Sequence, residues 1–171
     1  MLRLCRLSIA AFVICAASAE HADEPKVVKD AKEAAEWIAT ALSSSGYKAD
    51  FTLQSLKEID RFVDDQTQNG RPRPGGLLAE DFGARVFALG AYVGEVIRRL
   101  GEGQWYGNDS DREAEINIQV RLKSAGIIWP MQRVMKRITN GREDGIYAYG
   151  YIILKDERRL PNAENSPAGG R

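Results

Sequence analysis

Residues 78–100 read LAEDFGARVFALGAYVGEVIRRL and predict the most apolar helix of the chain. The apolar positions cover much more than one face of a helix, which is typical of a segment surrounded by other elements. Gly83, Gly90 and Gly94 lie inside it, although each glycine costs ~1 kcal/mol of helix propensity relative to alanine. We therefore expect a central, buried helix whose glycines allow a neighbouring element to approach closely.

Two helices are predicted before this segment. Apolar residues recur at helical spacing over residues 27–42, and Gly46 follows as a C-terminal stop. A second helix begins near Asp50 or Thr52, because both residue types are good N-caps, and its apolar stripe covers residues 53–63. The glycine- and proline-rich loop that follows separates this pair from the central helix.

The pattern after Gly101 changes from helical spacing to alternation. Residues 115–122 (EINIQVRL) alternate polar and apolar side chains, which is the best strand signal in the chain. A turn at residues 123–126 leads back to residues 127–129, which we expect to pair with that strand as a hairpin. Residues 104–106 form a further short extended piece.

The C-terminal part returns to helical patterns. Pro130 suits the first position of a helix, and we predict a short helix as far as Thr139. Residues 146–154 fit both a helix and a strand, and we favour a helix because Glu143 and Asp144 suit a helix N-terminus. The predicted class is α+β, with about three N-terminal helices packed on a small antiparallel β-hairpin sheet and one or two C-terminal helices after it.

The two ends of the chain predict processing and flexibility. Residues 1–19 combine a short basic start, an apolar run and small residues before Glu20, which is typical of a cleaved secretory signal. An uncleaved N-terminal anchor or a core helix is the alternative. We expect a flexible lead at 20–26, a single α+β domain at 27–155 and a disordered tail at 156–171.

The predicted cleavage also sets the expected location. It removes both cysteines of the chain, Cys5 and Cys15, so the exported form cannot hold a disulfide. Such cysteine usage suits a bacterial periplasm or exterior better than a disulfide-rich secreted module. The sequence therefore predicts a periplasmic or secreted bacterial protein without a transmembrane segment after signal removal.

Composition excludes several function classes. The chain has 171 residues with 24 basic and 24 acidic side chains, which argues against nucleic-acid binding, and its mean hydropathy of −0.35 argues against a multi-span membrane protein. His21, the one histidine, lies in the predicted lead, so histidine-dependent catalysis and the usual zinc, copper and haem sites lack ligands. There is no phosphate-binding glycine motif. We predict no cofactor and no metal, and we favour a protein that is not an enzyme.

Glu95 is the strongest acidic candidate because it lies within the most apolar helix. A buried glutamate with a raised pKa acts as a general acid, and Asp60 or Asp109 would complete a pair of the glycosidase type. The alternative, which we favour, is that Glu95 pairs with Arg98 or Arg99 at i+3 and i+4 of the same helix.

Two further patterns allow alternative interpretations. Residues 108–113 (NDSDRE) offer the oxygen ligands that calcium prefers, but they lack the spacing of a calcium loop, so we favour a polar turn. Aromatic residues of the second half would line a groove for sugars or peptides, or belong to the core, which we favour. They are Trp105, Trp129, Tyr147, Tyr149 and Tyr151.

A basic ridge on the helix after Pro130 is the predicted binding site. Its members are Trp129, Arg133, Lys136 and Arg137, with Asn140 and Arg142 continuing the ridge and Val134, Met135 and Ile138 facing inward. Arginine on such a ridge would bind an acidic protein or a phosphate-bearing envelope component through bidentate contacts. The alternative is a solvated face whose charges pair with Glu143 and Asp144.

Three segments carry a resemblance to other sequences. They are FTLQSLKEID at 51–60, LGAYVGEVIRR at 89–99 with Trp105, and the stretch from IWP at 128–130 through KRITNGREDG at 136–145. Together they resemble a group of small uncharacterised bacterial proteins with a domain of unknown function, over roughly residues 50–154. The resemblance implies no catalytic residues, and some small exported domains of this kind act as binding or immunity partners.

We expect an exported small globular protein that acts by binding a protein or an anionic envelope partner, and not nucleic acid. The alternative is a cell-envelope hydrolase on glycan or peptide that uses Glu95 with an acidic partner, and a third interpretation is a structural accessory of the envelope. A concave pocket with two carboxylates ~5–9 Å apart would favour the hydrolase. A closed core with an exposed basic or apolar patch would favour the binding protein.

Overall fold

The computed structural model describes residues 23–159. Within that range the chain forms six α-helices and two small antiparallel sheets, so the predicted mixture of helix and antiparallel sheet is confirmed. The helices are α1 (Lys26–Ser44), α2 (Leu56–Gln66), α3 (Phe82–Leu100), α4 (Ala114–Asn117), α5 (Pro130–Asn140) and α6 (Ile146–Arg159). The strands are β1 (Thr67–Gln68), β2 (Arg71–Pro72), β3 (Gln104–Tyr106), β4 (Gln119–Arg121) and β5 (Ile127–Ile128).

Helix α3 lies at the centre of the domain, and both α1 and α5 pack against it. Every residue from position 88 to position 97 is buried. A Cβ at Gly90 would lie 2.8 Å from the Cα of Met131, and one at Gly94 would lie 2.2 Å from the Trp105 ring. These separations are below van der Waals contact, so the prediction of a central helix with close neighbours is confirmed at both glycines.

The start of α3 differs from the prediction, which placed it at residue 78. Leu78 is fully buried but belongs to the preceding turn. Asp81 has a φ of 47°, and this left-handed conformation interrupts the helical path immediately before Phe82. The helical spacing of apolar residues therefore begins before the helix itself, because this spacing does not reveal the left-handed residue at position 81.

Side chains and glycine fix the ends of the first two helices. The Asp109 carboxylate accepts hydrogen bonds from the first two backbone N–H groups of α1, the one at Val27 at 2.9 Å. Gly46, with a φ of 83°, follows the C-terminal end of α1, as predicted. Thr52 Oγ1 accepts from the backbone N–H of Ser55 and caps a short 3₁₀ turn at Leu53–Ser55, so the predicted cap residue is used, but α2 begins only after this turn, at Leu56.

The larger sheet has the strand order β3-β4-β5. Its central register aligns Trp105 with Val120 and Val120 with Ile128, and all three side chains are buried. The predicted hairpin between the segments at 119–121 and 127–128 is confirmed, and the extended piece at 104–106 joins it as a third strand. One face of this sheet thus contributes to the core and the other faces outward.

The first half of the predicted strand at 115–122 is wrong, because residues 114–117 form the short helix α4. The Asp111 carboxylate accepts from the backbone N–H of Glu113 and from the Asn117 side chain, both at 2.9 Å, and so stabilises a helical turn there. Ile116 is 39% exposed whereas Ile118 is fully buried. The alternation of apolar residues therefore spans two elements with different orientations.

The loop between α2 and α3 contains a second hairpin, formed by β1 and β2. Asn69 and Gly70 connect the strands with φ values of 51° and 71°. Two successive positive φ angles are typical of the tight turns that join antiparallel strands, and Asn-Gly is the preferred pair for them.

Helix α6 resolves the ambiguity at 146–154 in favour of a helix, as predicted. Ile146 and Leu154 are buried. The helix continues through residues 156–159, which were predicted to belong to the tail. The predicted signal at 1–19, the first residues of the lead, and the tail from residue 160 lie outside the described residues. Within 23–159, no helix is long and apolar enough to cross a bilayer.

Candidate functional site

Helix α5 presents the predicted binding residues, and its orientation follows from its apolar side chains. Met131, Val134 and Ile138 are buried, and Gly90 of α3 leaves the space into which Met131 fits. The opposite side of α5 therefore faces outward. Met135, which the sequence placed inward, is instead 40% exposed, because it lies one position from Val134 and thus ~100° around the helix.

The structure brings three of the four predicted site residues together. Trp129, Arg133 and Lys136 line a shallow cleft of about 110 Å³ with Gln132 and Tyr149. The Trp129 side chain is 40% exposed although tryptophan is among the largest apolar residues. This cleft therefore places aromatic rings and basic groups side by side at the surface.

Arg133 is held in place by the C-terminal part of the chain. Its Nη1 donates to Asp144 at 2.9 Å, its Nη2 donates to the carbonyl of Gly145 at 3.1 Å, and its guanidinium lies 4.6 Å from the centre of the Tyr149 ring. Its Nε is buried and has no hydrogen-bond partner among residues 23–159. The pairing with Asp144, which the sequence offered as the alternative to binding, reduces the charge that Arg133 presents.

Lys136 is the basic group of this cleft that keeps its charge available. It is exposed, and no carboxylate of the described residues lies within ion-pair distance of its ammonium group. The hydrogen bond from Asn140 and the charges of Arg133 and Lys136 lower the pKa of Asp144, so Lys136 interacts with this carboxylate only at longer range, without an ion pair.

A second cleft adjoins the first and shares Gln132 and Lys136 with it. It has a volume of about 310 Å³, and Ile116 and Met135 supply exposed apolar surface to it. No acidic side chain of the described residues lines either cleft. We call the combined surface the α5 face, which comprises Ile116, Trp129, Gln132, Arg133, Met135, Lys136, Thr139, Asn140 and Tyr149.

Arg137, the fourth predicted site residue, does not belong to this surface, so its assignment to an exposed ridge is corrected. Its side chain is only 3% exposed. Its Nε donates to Asp60 at 2.8 Å and its Nη2 donates to Asp64 at 2.6 Å. Both carboxylates lie on α2, where a spacing of four residues places them on one helix face. Their spacing beside the apolar stripe of α2 is a signal that sequence reasoning missed.

The network around Arg137 ties three helices together. Asp60 also accepts from the backbone N–H groups of Ile146 and Tyr147, so it caps the N-terminus of α6. Asp64 accepts from Arg142 as well. Burial raises the pKa of Asp64, but the hydrogen bond from Arg137 and the charges of both arginines outweigh it and lower that pKa. The cluster therefore connects α2, α5 and α6 through hydrogen bonds and ion pairs.

Glu95 has the partners that the favoured alternative predicted. Its carboxylate accepts from Arg98 at 2.8 Å, from Arg99 at 2.7 Å and from the Trp105 indole N–H at 3.0 Å. Burial raises the pKa of Glu95, but these hydrogen bonds outweigh it and lower the pKa from 4.5 to about 2. Glu95 is therefore ionised at neutral pH and does not hold the proton that a general acid donates.

The two aspartates of the loop at 108–113 accept hydrogen bonds from other residues of the fold. Asp109 caps α1 and Asp111 holds α4, as described above, and Asn108 accepts from the backbone N–H of Ser110 at 3.0 Å. Within 23–159, no group of three or more acidic, histidine or cysteine side chains is arranged to hold a metal ion. The geometry of a polar turn accounts for these side chains.

The C-terminal aromatic residues do not form one groove. Trp105 is buried against α3, and Tyr149 lies against Arg133 in the cleft of α5. Tyr147 and Tyr151 stack on each other with ring centres 6.3 Å apart. These side chains are thus divided between the core and separate parts of the surface.

Comparisons of this chain with protein-family models, with curated proteins and with solved structures found no match.

Proposed function

We propose that this protein acts by binding, and that the α5 face docks an acidic segment of a partner protein. The observation that carries the proposal is the pairing of exposed apolar side chains with an unpaired Lys136 on a surface that no carboxylate lines. Exposed aromatic and methionine side chains are enriched at the cores of protein interfaces. A partner that presents carboxylates would complement the charge of this face.

The second cleft favours a protein over a purely anionic envelope component. Met135 and Ile116 offer apolar surface that a leucine or phenylalanine side chain of a partner would bury. Burial of such a side chain is worth ~1.5–3 kcal/mol, whereas a phosphate or a uronic acid polymer has nothing to place there. Trp129 supplies the large anchor that hot spots of interfaces require.

The proposal includes the export predicted from residues 1–19 but does not depend on it. In the periplasm or outside the cell the partner would be an envelope or secreted protein. The α5 face has the same chemistry in any compartment.

Site-specific photocrosslinking in the producing cells tests the proposal. A photoreactive residue at Gln132 should crosslink one defined partner, while the same residue at Glu33, which is exposed on α1, should not. In the purified pair, Trp129→Ala should weaken binding at least tenfold, because truncating a central anchor costs more than ~1.4 kcal/mol. Lys136→Glu should also weaken binding, and the loss of affinity should be larger in low salt than in high salt, because salt screens the charge.

The matched control is Lys48→Glu, which reverses the charge of a 79% exposed lysine that does not line the α5 face. It should leave binding unchanged. Equal crosslinking from both positions, or binding that survives Trp129→Ala and Lys136→Glu, would reject the α5 face. Crosslinking to glycan alone would assign the surface to an anionic envelope polymer instead.

A further inference from the structure

A polar cleft lies on the outward face of the larger sheet and shares no lining residue with the α5 face. Tyr106 on β3 is paired directly with Gln119 on β4, and Arg121 follows two residues later on the same side. Asn117 at the end of α4 and Asn108 in the preceding loop complete the cleft, which has a volume of about 200 Å³. The alternation that buries Trp105 and Val120 therefore places these side chains together.

Three amide side chains in this cleft are oriented by hydrogen bonds within the fold. The Asn117 amide N–H donates to Asp111 at 2.9 Å, which leaves the Asn117 carbonyl oxygen as an acceptor. The Gln119 carbonyl oxygen accepts from Arg121 at 3.3 Å and that of Asn108 accepts from Ser110, which leaves both amide N–H₂ groups as donors. None of these remaining groups has a hydrogen-bond partner among residues 23–159.

The aromatic wall and the charge of the cleft point to a neutral ligand. Tyr106 is 40% exposed, and the Arg121 guanidinium lies 3.8 Å from its ring centre. Among the described residues, Asp111 is the one acidic side chain that lines the cleft, and both its oxygens already accept hydrogen bonds. One basic and one acidic group give a lining without net charge, in contrast to the basic α5 face.

We propose that this cleft binds one saccharide unit. The hydroxyl groups of a sugar donate and accept hydrogen bonds at neighbouring positions, which matches oriented amide donors beside an amide acceptor. The C–H groups of a pyranose ring would pack against the part of the Tyr106 ring that the Arg121 guanidinium leaves exposed. The volume is smaller than the ~300–1,000 Å³ of sites for drug-sized ligands, so it suits one ring, either free or as part of a glycan.

Nuclear magnetic resonance titration of the full chain tests this site directly. The probes are N-acetylglucosamine, methyl glucoside and the linear tetramers of the same two units, so that free sugar and glycan are distinguished. At least one probe should give saturable shifts of the backbone amides of Tyr106, Gly107 and Gln119, with a monosaccharide dissociation constant of ~1–10 mM. Gln119→Ala should weaken this binding about five- to tenfold, because one hydrogen bond is lost.

The matched control is Gln104→Ala, since Gln104 is exposed on β3 opposite Arg121 but does not line the cleft. It should bind as the unaltered protein does. Tyr106→Ala provides an independent variant that removes the aromatic wall and should weaken binding at least as much as Gln119→Ala. Absence of saturable shifts with every sugar, or an unchanged dissociation constant in both cleft variants, would overturn the proposal. Saturation by inorganic phosphate alone would reassign the cleft to anion binding through Arg121.

Discussion

Two clusters of buried charge lie in different parts of this domain, and they are built in opposite ways. In the first, one buried carboxylate, Glu95, is surrounded by Arg98, Arg99 and the Trp105 indole. In the second, one buried guanidinium, that of Arg137, lies between two carboxylates. The two arginines that bind Glu95 are three and four residues away in the chain. The two aspartates that bind Arg137, Asp60 and Asp64, are 77 and 73 residues away.

The comparison shows what each cluster does for the fold. The Glu95 cluster is assembled mostly within α3, and it reaches β3 through Trp105 and α1 through the ion pair of Arg99 with Glu36. The Arg137 cluster joins α2 to α5 and α6, which follow much later in the chain, so it forms only when the domain is folded. We therefore expect the Arg137 cluster to be the more sensitive of the two to substitution.

The largest effect is expected at Arg137. Arg137→Glu would place a third carboxylate between Asp60 and Asp64, and breaking a buried pair in this way costs at least ~4 kcal/mol. Arg137→Met fills a similar volume without the charge and should cost ~2–3 kcal/mol, because both aspartates keep contact with water. Urea unfolding of both variants checks the order. A wild-type midpoint for Arg137→Glu would show that Arg137 belongs to the exposed ridge after all.

The next effect concerns Glu95 and pH. Its folded pKa of about 2 lies below the ordinary 4.5, so its contribution to stability is complete above pH 4.5 and is lost as pH falls toward 2. The shift corresponds to at most about 3 kcal/mol. Glu95→Gln should lower the free energy of unfolding at pH 7 by ~2–3 kcal/mol.

The same variant should also flatten the pH dependence. Between pH 4.5 and 2, the urea midpoint of Glu95→Gln should fall less than that of the unaltered protein, with a remainder from carboxylates such as Asp64 whose pKa is also lowered. Parallel pH profiles for the two proteins would contradict the ionised, arginine-paired state of Glu95.

A smaller effect is expected at Gly94, which makes room for the Trp105 ring that donates to Glu95. Even the methyl group of Gly94→Ala would meet that ring and Pro130, so the variant should lose ~1–3 kcal/mol of stability. Gly83→Ala is the matched control in the same helix, because nothing lies within 4 Å of its added carbon. It should be neutral or stabilise by up to ~1 kcal/mol. Equal midpoints for the two variants would refute the close packing.

The smallest effect on stability is expected at Lys136, the sequence neighbour of Arg137. Because Lys136 is exposed without an ion pair to any carboxylate described here, Lys136→Glu should change the free energy of unfolding by no more than ~0.5 kcal/mol. Lys136→Glu and Arg137→Glu reverse the same charge at neighbouring positions. The difference between their free energies of unfolding therefore measures the effect of burial. A loss comparable to that of Arg137→Glu would place Lys136 in the fold's own network.

Local patterns in the sequence predicted several contacts and helix ends whose partners are close in the chain. The pairing of Glu95 with Arg98 and Arg99, the cap at Thr52 and the stop at Gly46 all depend on neighbours within four residues. The strand predicted at 115–122 was wrong in its first half because Asp111 and Asn117 stabilise a helical turn there. Side-chain hydrogen bonds decide between strand and helical turn at this point, and the alternation of apolar residues does not reveal them.

The sequence by itself determined the central helix, the hairpin after it and the absence of histidine and cysteine chemistry from residues 23–159, because these follow from residue type and short-range spacing. Only the tertiary structure decided which basic residues of α5 are available. Adjacent positions on a helix differ by ~100°, so Lys136 faces solvent while Arg137 faces α2. A charged side chain is buried when distant partners satisfy it, and those partners, Asp60 and Asp64, come within reach only when α2 packs beside α5.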